Sequence, residues 1–323
     1  MENAALVELA LAAQACSNKE LAVRLGVSPS QISKWKKDAY GHMSFEMESK
    51  LRELAGIGQR SADFVLTCGT LDNAKKWEEV LQSLAEAAGD EEETGYKTDL
   101  FINPSTDLFG DTFAILKRMG VRIPSEFPTE LVADAQLEYS DDDDFHGHPI
   151  ARLISEIYRS YNDVYGFYVA YISELEEDER IDGEEARFIY SGLLEFAASK
   201  IDPEPDVAPG FKQFRTKVKA EFSELLSDLK KSAARAGVPL RAELMDMVRM
   251  PHEDIGLEAE RESLGSNQNR HHPDIYMNEL LEGMRMIHQV LPVIIKKLGI
   301  TADELSNGAS VDSEDFENEP SKE

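Results

Sequence analysis

The sequence is short of cysteine, of tryptophan and above all of positive charge. Its two cysteines, Cys16 and Cys68, stand far apart and outside any CxxC pair. That excludes a disulfide scaffold and a cysteine zinc site, and fits a reducing, cytoplasmic setting. No stretch reaches the roughly 18 uncharged apolar residues that a membrane span needs. The opening segment, MENAALVELALAAQACSNKE, has an apolar run but no basic residues ahead of it, so it does not read as a secretory signal. The chain is therefore expected to be soluble and unexported, with no membrane partner. It has no glycine-rich phosphate loop, no GxSxG and no HExxH, which removes the common signatures of nucleotide, serine-hydrolase and zinc-peptidase chemistry. The expectation is a protein that is not an enzyme and needs no cofactor.

What is present is enough apolar residue to fold. Of 323 residues 42% are hydrophobic, among them 14 Phe and 10 Tyr, which suffices for two domains with real cores. The formal net charge of -28 argues at first against a nucleic-acid partner, because phosphate binding is driven by Lys and Arg. Its distribution changes that reading. Residues 1–60 hold eight bases against seven acids, and the remainder 26 against 55, so the two parts carry +1 and -29. With a screening length of about 8 Å at physiological salt, an acidic second region leaves a basic helix free to approach DNA while repelling DNA from its own surface.

The N-terminal segment is dense in helix punctuation. Ser17-Asn18-Lys19-Glu20 sets a serine before a helical run and a glutamate three residues on, the pattern of a reciprocal capping box. The helix it opens, Asn18 to Leu25, aligns Leu21, Ala22 and Leu25, and Gly26 follows where a left-handed cap is needed. Ser28-Pro29-Ser30-Gln31 repeats the start signal, with Pro at the first helical position and Ile32 and Trp35 three apart behind it. Helical spacing alone accounts for Leu21, Leu25, Ile32 and Trp35 as core. Two short helices across a tight glycine turn form the unit whose second helix enters the major groove.

The stretch KELAVRLGVSPSQISKWKKD resembles the Cro/CI-type (XRE, lambda-repressor-like) helix-turn-helix, through Leu21-Ala22, Leu25-Gly26-Val27-Ser28, Ile32-Ser33 and Trp35. The resemblance covers about sixty residues. It implies a small five-helix DNA-binding domain, with a first helix at Ala4 to Ala15 and a fourth at Phe45 to Ala55 presenting Met47, Leu51 and Leu54 to the core. It also implies a recognition helix at 29–37, whose start meets base edges through Ser30, Gln31 and Lys34, Gln suiting adenine and Lys guanine. Phosphate contacts would fall to Asn18 and Ser28 at the two helix starts and to Lys36, Lys37 and His42. Two positions depart from the pattern: Lys36 stands where Glu is usual, and Asp38 where a glycine commonly closes the recognition helix.

Beyond residue 60 the expectation is helices broken by loops, completing an all-α chain. Lys75 to Ala88 aligns Trp77, Val80, Leu81 and Leu84, with Gly89 and the acidic run to Glu93 as its end. A helix near Thr112 to Met119 sits in a Pro-, Asp- and Gly-rich region that closes on Asp141 to Asp144 and Phe145-His146-Gly147-His148-Pro149. The four acids and two histidines fail the calcium-loop pattern, since Leu153 stands where a glutamate is required, and Asp178 to Arg187 fails it likewise at Ile189. No metal is assigned. Ile150, Ile154, Ile157, Tyr161, Val164, Tyr168, Tyr171 and Leu175 make a heptad seam, to be covered by other helices of the chain or by a second copy. Further helices are expected at Glu184 to Ser199, Phe211 to Ala236, Arg241 to Met250 and Asp274 to Leu298, the last bent or interrupted at Pro292. His252 and His271-His272 read as surface histidines in loops. The layout is a helix-turn-helix domain over 1–60, a connecting region over 61–148, a helical C-terminal domain over 149–305 and a disordered acidic tail over 306–323.

The function expected from this reading is sequence-specific binding of double-stranded DNA by a bacterial or phage type of transcriptional regulator. It would act as a homodimer, nucleoid-associated in the cytoplasm, with a helical second domain suited to dimerisation, ligand sensing or a protein partner. The competing reading is an acidic interaction or assembly factor that uses the helix-turn-helix for docking. No β-rich segment of the kind that carries a self-cleaving peptidase domain in some repressors is evident.

Overall fold

Hydroxyl side chains set the helix starts along the chain. Ser17, Ser28, Ser44, Ser61, Thr70 and Thr98 each accept a hydrogen bond from a backbone amide two or three residues ahead, removing one of the orphan donors that every helix start exposes. The computed structural model describes residues 2–37, 43–131, 147–181, 188–238, 242–266 and 277–299. Among them all regular structure is helical, the class the sequence leads one to expect. The chain divides into two compact units, Met1–Arg270 and His271–Glu323.

The larger unit opens with α1 (Glu2–Ala13), α2 (Asn18–Leu25), α3 (Pro29–Lys36), α4 (Phe45–Ala55) and α5 (Ala62–Thr67). Helix α1 packs on α3, α4 and α5. Its Leu6 and Val7 are fully buried, as are Leu21, Ile32 and Leu51 from its neighbours. The N-terminal helix starts and stops two residues earlier than its apolar run suggests, because Glu2 has a task beyond α1. Its carboxylate accepts from the amides of Ala62 at 2.6 Å and Asp63 at 3.2 Å and from Arg52 at 3.3 Å. One acid thus caps α5 and ties α1 to α4. Arg60 extends the connection, with both Glu78 oxygens within 2.9 Å of its Nε.

Next come α6 (Leu71–Asp90), α7 (Asp99–Ile102) and α8 (Thr106–Arg118), the first and last longer than the apolar periodicity indicates. Gly89 does not stop α6; it lets Phe101 of α7 approach, and a Cβ there would lie 3.2 Å from the Phe101 Cβ. The long helix α9 (Pro149–Tyr171) then runs through the middle of the unit, packed by α6, α11 (Phe188–Ala198) and α14 (His252–Ser263). Its seam residues Ile154, Ile157 and Val164 are fully buried, so helices of the same chain cover the heptad line. The seam does not continue unbroken to Leu175: the backbone turns at Ile172 (φ -122°, ψ -41°), and Leu175 belongs to α10 (Ser173–Glu177).

Most polar groups buried along α9 are paired, the Asn162 side-chain oxygen being an exception among the described residues. Tyr158 Oη and Thr112 Oγ1 share a 2.9 Å hydrogen bond, Ser160 donates to the Ala197 carbonyl at 2.9 Å, and the Asn162 amide donates to the Ala88 carbonyl at 2.6 Å. Helix α12 (Phe211–Ala236) has the predicted bounds and ends on left-handed Gly237. The expected helix at Arg241 to Met250 divides into a 3-10 turn (Ala242–Met245) and α13 (Asp246–Arg249). His252 is corrected outright. It sits in the first turn of α14 with its side chain only 17% exposed, because Pro251 opens a helix that the surrounding acids disguise as a loop.

In the second unit α15 (Met277–Leu298) continues through Pro292 without a break. The acidic run with His146, the pair His271-His272 and the tail beyond residue 306 lie outside the described residues, as do His42 and Asp38.

Candidate nucleic-acid interface

Helices α2 and α3 form the two arms of a helix-turn-helix whose turn is only Gly26, Val27 and Ser28. Gly26 takes φ 69° and ψ 29°, a conformation that costs a residue with a Cβ about 1 kcal/mol or more. The Val27 amide reaches back to the Ala22 carbonyl at 2.9 Å, closing the helix end as a Schellman turn does. Ser28 is extended (φ -75°, ψ 148°), accepts from the Gln31 amide at 3.2 Å and shares a 2.8 Å hydrogen bond with Ser30 Oγ. Both start signals and the glycine stop therefore act as their residue types dictate.

The burial pattern on α3 divides its surface. At about 100° per residue, Ile32 and Trp35 point one way and are 0 and 3% exposed. Ser30, Ser33, Lys34 and Lys37 point the opposite way and are exposed. Gln31, half-buried, and Lys36, exposed, lie on the two flanks. Of the three expected base readers, Ser30 and Lys34 are at the middle of the outward face and Gln31 is at its edge. Lys37, expected to touch phosphate, stands on the same central stripe as Lys34, one turn further along. Read from the sequence, Lys36 and Lys37 share one role; the direction set by buried Ile32 and Trp35 separates them.

The two helix starts differ as anion sites. At α2 the capping box is complete, with the Glu20 carboxylate accepting from both the amide and the hydroxyl of Ser17 at 2.8 Å. Those donors hold the Glu20 carboxyl below its ordinary pKa, so a phosphate approaching Asn18 meets a fixed negative charge. The first turn of α3 has no acid, and its exposed start at Ser28 is the more favourable place for an anion. Arg24 donates to Gln14 at 2.5 Å, and Gln14 in turn donates to the Leu54 carbonyl at 2.9 Å. That chain fixes α2 against the loop after α1 and the end of α4.

A second polar cluster, which sequence spacing did not reveal, lies where α14 meets α9. His252 Nδ1 is 2.5 Å from Asp163 Oδ2 and its Nε2 is 3.3 Å from Glu253. Burial pushes the Asp163 carboxyl up, with the His252 contact working against it, and burial likewise raises Glu156. Asp163 and His252 are 89 positions apart in no motif, so only the fold brings them together. His148, considered as a ligand, instead sits edge-on to Trp77, and burial lowers its pKa. Among the described residues no group of three acids, histidines or cysteines is placed to hold a metal ion, and no helix is long and apolar enough to cross a membrane. No family model, no curated protein and no solved structure matches the chain.

Proposed function

We propose that the protein is a sequence-specific double-stranded DNA-binding regulator that reads the major groove with α3 and binds as a dimer. The observation that carries this reading is the division of α3 into a buried face, Ile32 and Trp35, and an opposite, exposed stripe of Ser30, Ser33, Lys34 and Lys37. Lysines at the middle of an exposed face, on the second helix of a helix-turn-helix, suit both roles the groove offers: Lys34 near base edges and Lys37 against phosphate. The start of α3 at Ser28, exposed and without an acid in its first turn, adds a place for a phosphate of the duplex backbone. The acidic remainder, at -29, keeps the rest of the surface off DNA, so that binding is confined to one orientation. Two copies supply two half-sites about one helical turn apart, roughly 34 to 36 Å.

The test is selection of the full chain on a random duplex library at two salt concentrations, with the Lys34→Ala/Lys36→Ala/Lys37→Ala chain beside it. A palindromic sequence enriched by the parent and lost in the triple variant is the expected result. No enrichment at low salt overturns the reading and leaves the acidic interaction factor in its place.

A further inference from the structure

At the C-terminal end of α6 the larger unit holds a cavity of about 490 Å³, within the range of small-molecule sites. Its deep wall is Asn162 of α9 with Thr98 and Phe101 of the α7 segment, which are 5, 3 and 2% exposed. Glu86 and Asp90 of α6 stand exposed at the rim, with Glu92 half-buried and Lys97 exposed beside them. Ile102, 55% exposed, completes the mouth.

Asn162 is the group in this wall that the core leaves half-satisfied. Its Nδ2 donates to the Ala88 carbonyl at 2.6 Å, which only the nitrogen end of the amide can do. That leaves Oδ1, buried and without a partner among the described residues, as the free end of the amide in the cavity wall. A buried acceptor without a donor is rare in a folded chain. One water would answer it, but the cavity holds far more than a water's share of about 30 Å³. Lys97 does not answer it, since its side chain is exposed and Oδ1 stays unpaired beside it.

We infer that this cavity binds an aliphatic diamine, one ammonium of which donates to Asn162 Oδ1. The lining carries three carboxylates against one lysine, and the C-terminal end of a helix adds partial negative charge. Both favour a cation over a neutral or anionic ligand. Among the described residues no three acids, histidines or cysteines are placed to hold a metal ion, so the cation is one that brings its own N–H donors. Phe101 and Ile102 give methylene groups an apolar surface, and an aromatic ring attracts an ammonium. The acids stand at the exposed rim and the unpaired amide oxygen at the buried wall. A ligand charged at both ends, with a methylene stem between, answers both.

This inference goes beyond the regulator reading and does not rest on it. Equilibrium dialysis of the full chain against labelled putrescine, at physiological salt and without DNA, tests it. The parent and a Glu79→Gln control are expected to bind one putrescine per chain alike, because Glu79 is an exposed acid of α6 outside the cavity. Glu86→Gln/Asp90→Asn removes two rim charges from exposed positions and is expected to weaken binding about tenfold or more, with an unchanged melting temperature. The bis(trimethylammonium) analogue of putrescine keeps both charges but has no N–H for Asn162 Oδ1, and it is expected to compete about tenfold more weakly than unlabelled putrescine. No bound putrescine overturns the proposal. So does equal competition by the analogue, or an equal loss in Glu79→Gln, either of which assigns the binding to the diffuse charge of a chain at -28. Magnesium ions that displace putrescine mole for mole assign the site to a metal and overturn it as well. A chain that binds putrescine and enriches no DNA sequence keeps this inference and sinks the regulator reading, whereas one that enriches a sequence and takes up no putrescine does the reverse.

Discussion

Helix α3 buries two of its eight residues, Ile32 and Trp35, while α9 buries fifteen of 23. On α9 even polar residues are engaged, Tyr158 by Thr112, Ser160 by Ala197 and the Asn162 amide by Ala88, so its composition is explained by the core it fills. On α3 the fold explains Ser28, Pro29, Ile32 and Trp35, whereas the exposed side chains of Lys34, Lys36 and Lys37 make no hydrogen bond or ion pair among the described residues. Helix α15 carries exposed apolar side chains, among them Ile287, Leu291 and Ile294. The two ends of the chain thus differ in what they expose, cations on α3 and apolar side chains on α15.

The comparison is broken most severely where α9 has no room to give. Gly166 packs on Thr94, and a Cβ at 166 would lie 2.6 Å from the Thr94 Cβ and closer still to its hydroxyl. Thr94 is 2% exposed and β-branched, so no rotamer relieves all of these contacts. Replacing a mid-helix Gly by Ala ordinarily stabilises by about 1 kcal/mol. Here overpacking outweighs that gain, and Gly166→Ala is expected to destabilise by about 2 kcal/mol in urea unfolding. A neutral or stabilised variant would show that α9 is looser than its burial indicates.

On α3 the expected effects fall on binding and leave stability alone. Lys34→Ala should cost about 1 to 3 kcal/mol in DNA affinity and relax the sequence preference. Lys37→Ala should weaken all sequences alike and flatten the salt dependence by about one unit. Titrations of the selected site and of a scrambled duplex, across a salt series, separate the two. Equal effects from both substitutions would refute the division of roles, and a drop in melting temperature would place these lysines in the fold after all.

Much of this architecture is legible in the sequence where local chemistry decides. Ser17 with Glu20, Gly26, Ser28 with Pro29, and Gly237 act on their neighbours within four residues, and the helices they bound, Asn18–Leu25, Pro29–Lys36 and Phe211–Ala236, stand at or within one residue of the predicted ends. What was not legible depends on contacts between distant segments. Gly89 reads as a stop until Phe101 is brought against it, Glu2 reads as an ordinary first-turn acid until α5 arrives, and the Pro251-His252 start is hidden among acids. The candidate site is more legible: the spacing of Lys34, Lys36 and Lys37 finds the cationic helix, and the spacing of Ile32 and Trp35, buried as expected, sets Lys37 on the central stripe and Lys36 on the flank.

The mildest test sharpens the comparison from the side of α9, at Asp163. Asp163 faces His252, with Glu253 and Glu93 near enough to act on it, and burial holds its carboxyl above the ordinary value of 3.8. A group whose folded pKa is raised keeps its proton in the folded chain after the unfolded chain has lost it. Stability is therefore fully present below 3.8 and falls as pH rises through the raised folded value. Glu156 and Asp111, also raised by burial, act in the same direction, and so does the relief of self-repulsion as pH approaches the isoelectric point of about 4.6. The chain is expected to melt at a higher temperature near pH 5 than at pH 7. Asp163→Asn keeps the shape and a hydrogen bond to His252 but removes the charge, and it should narrow that difference. A variant that loses as much as the parent between the two pH values would put the effect on Glu156, Asp111 or the overall charge and clear Asp163 of it.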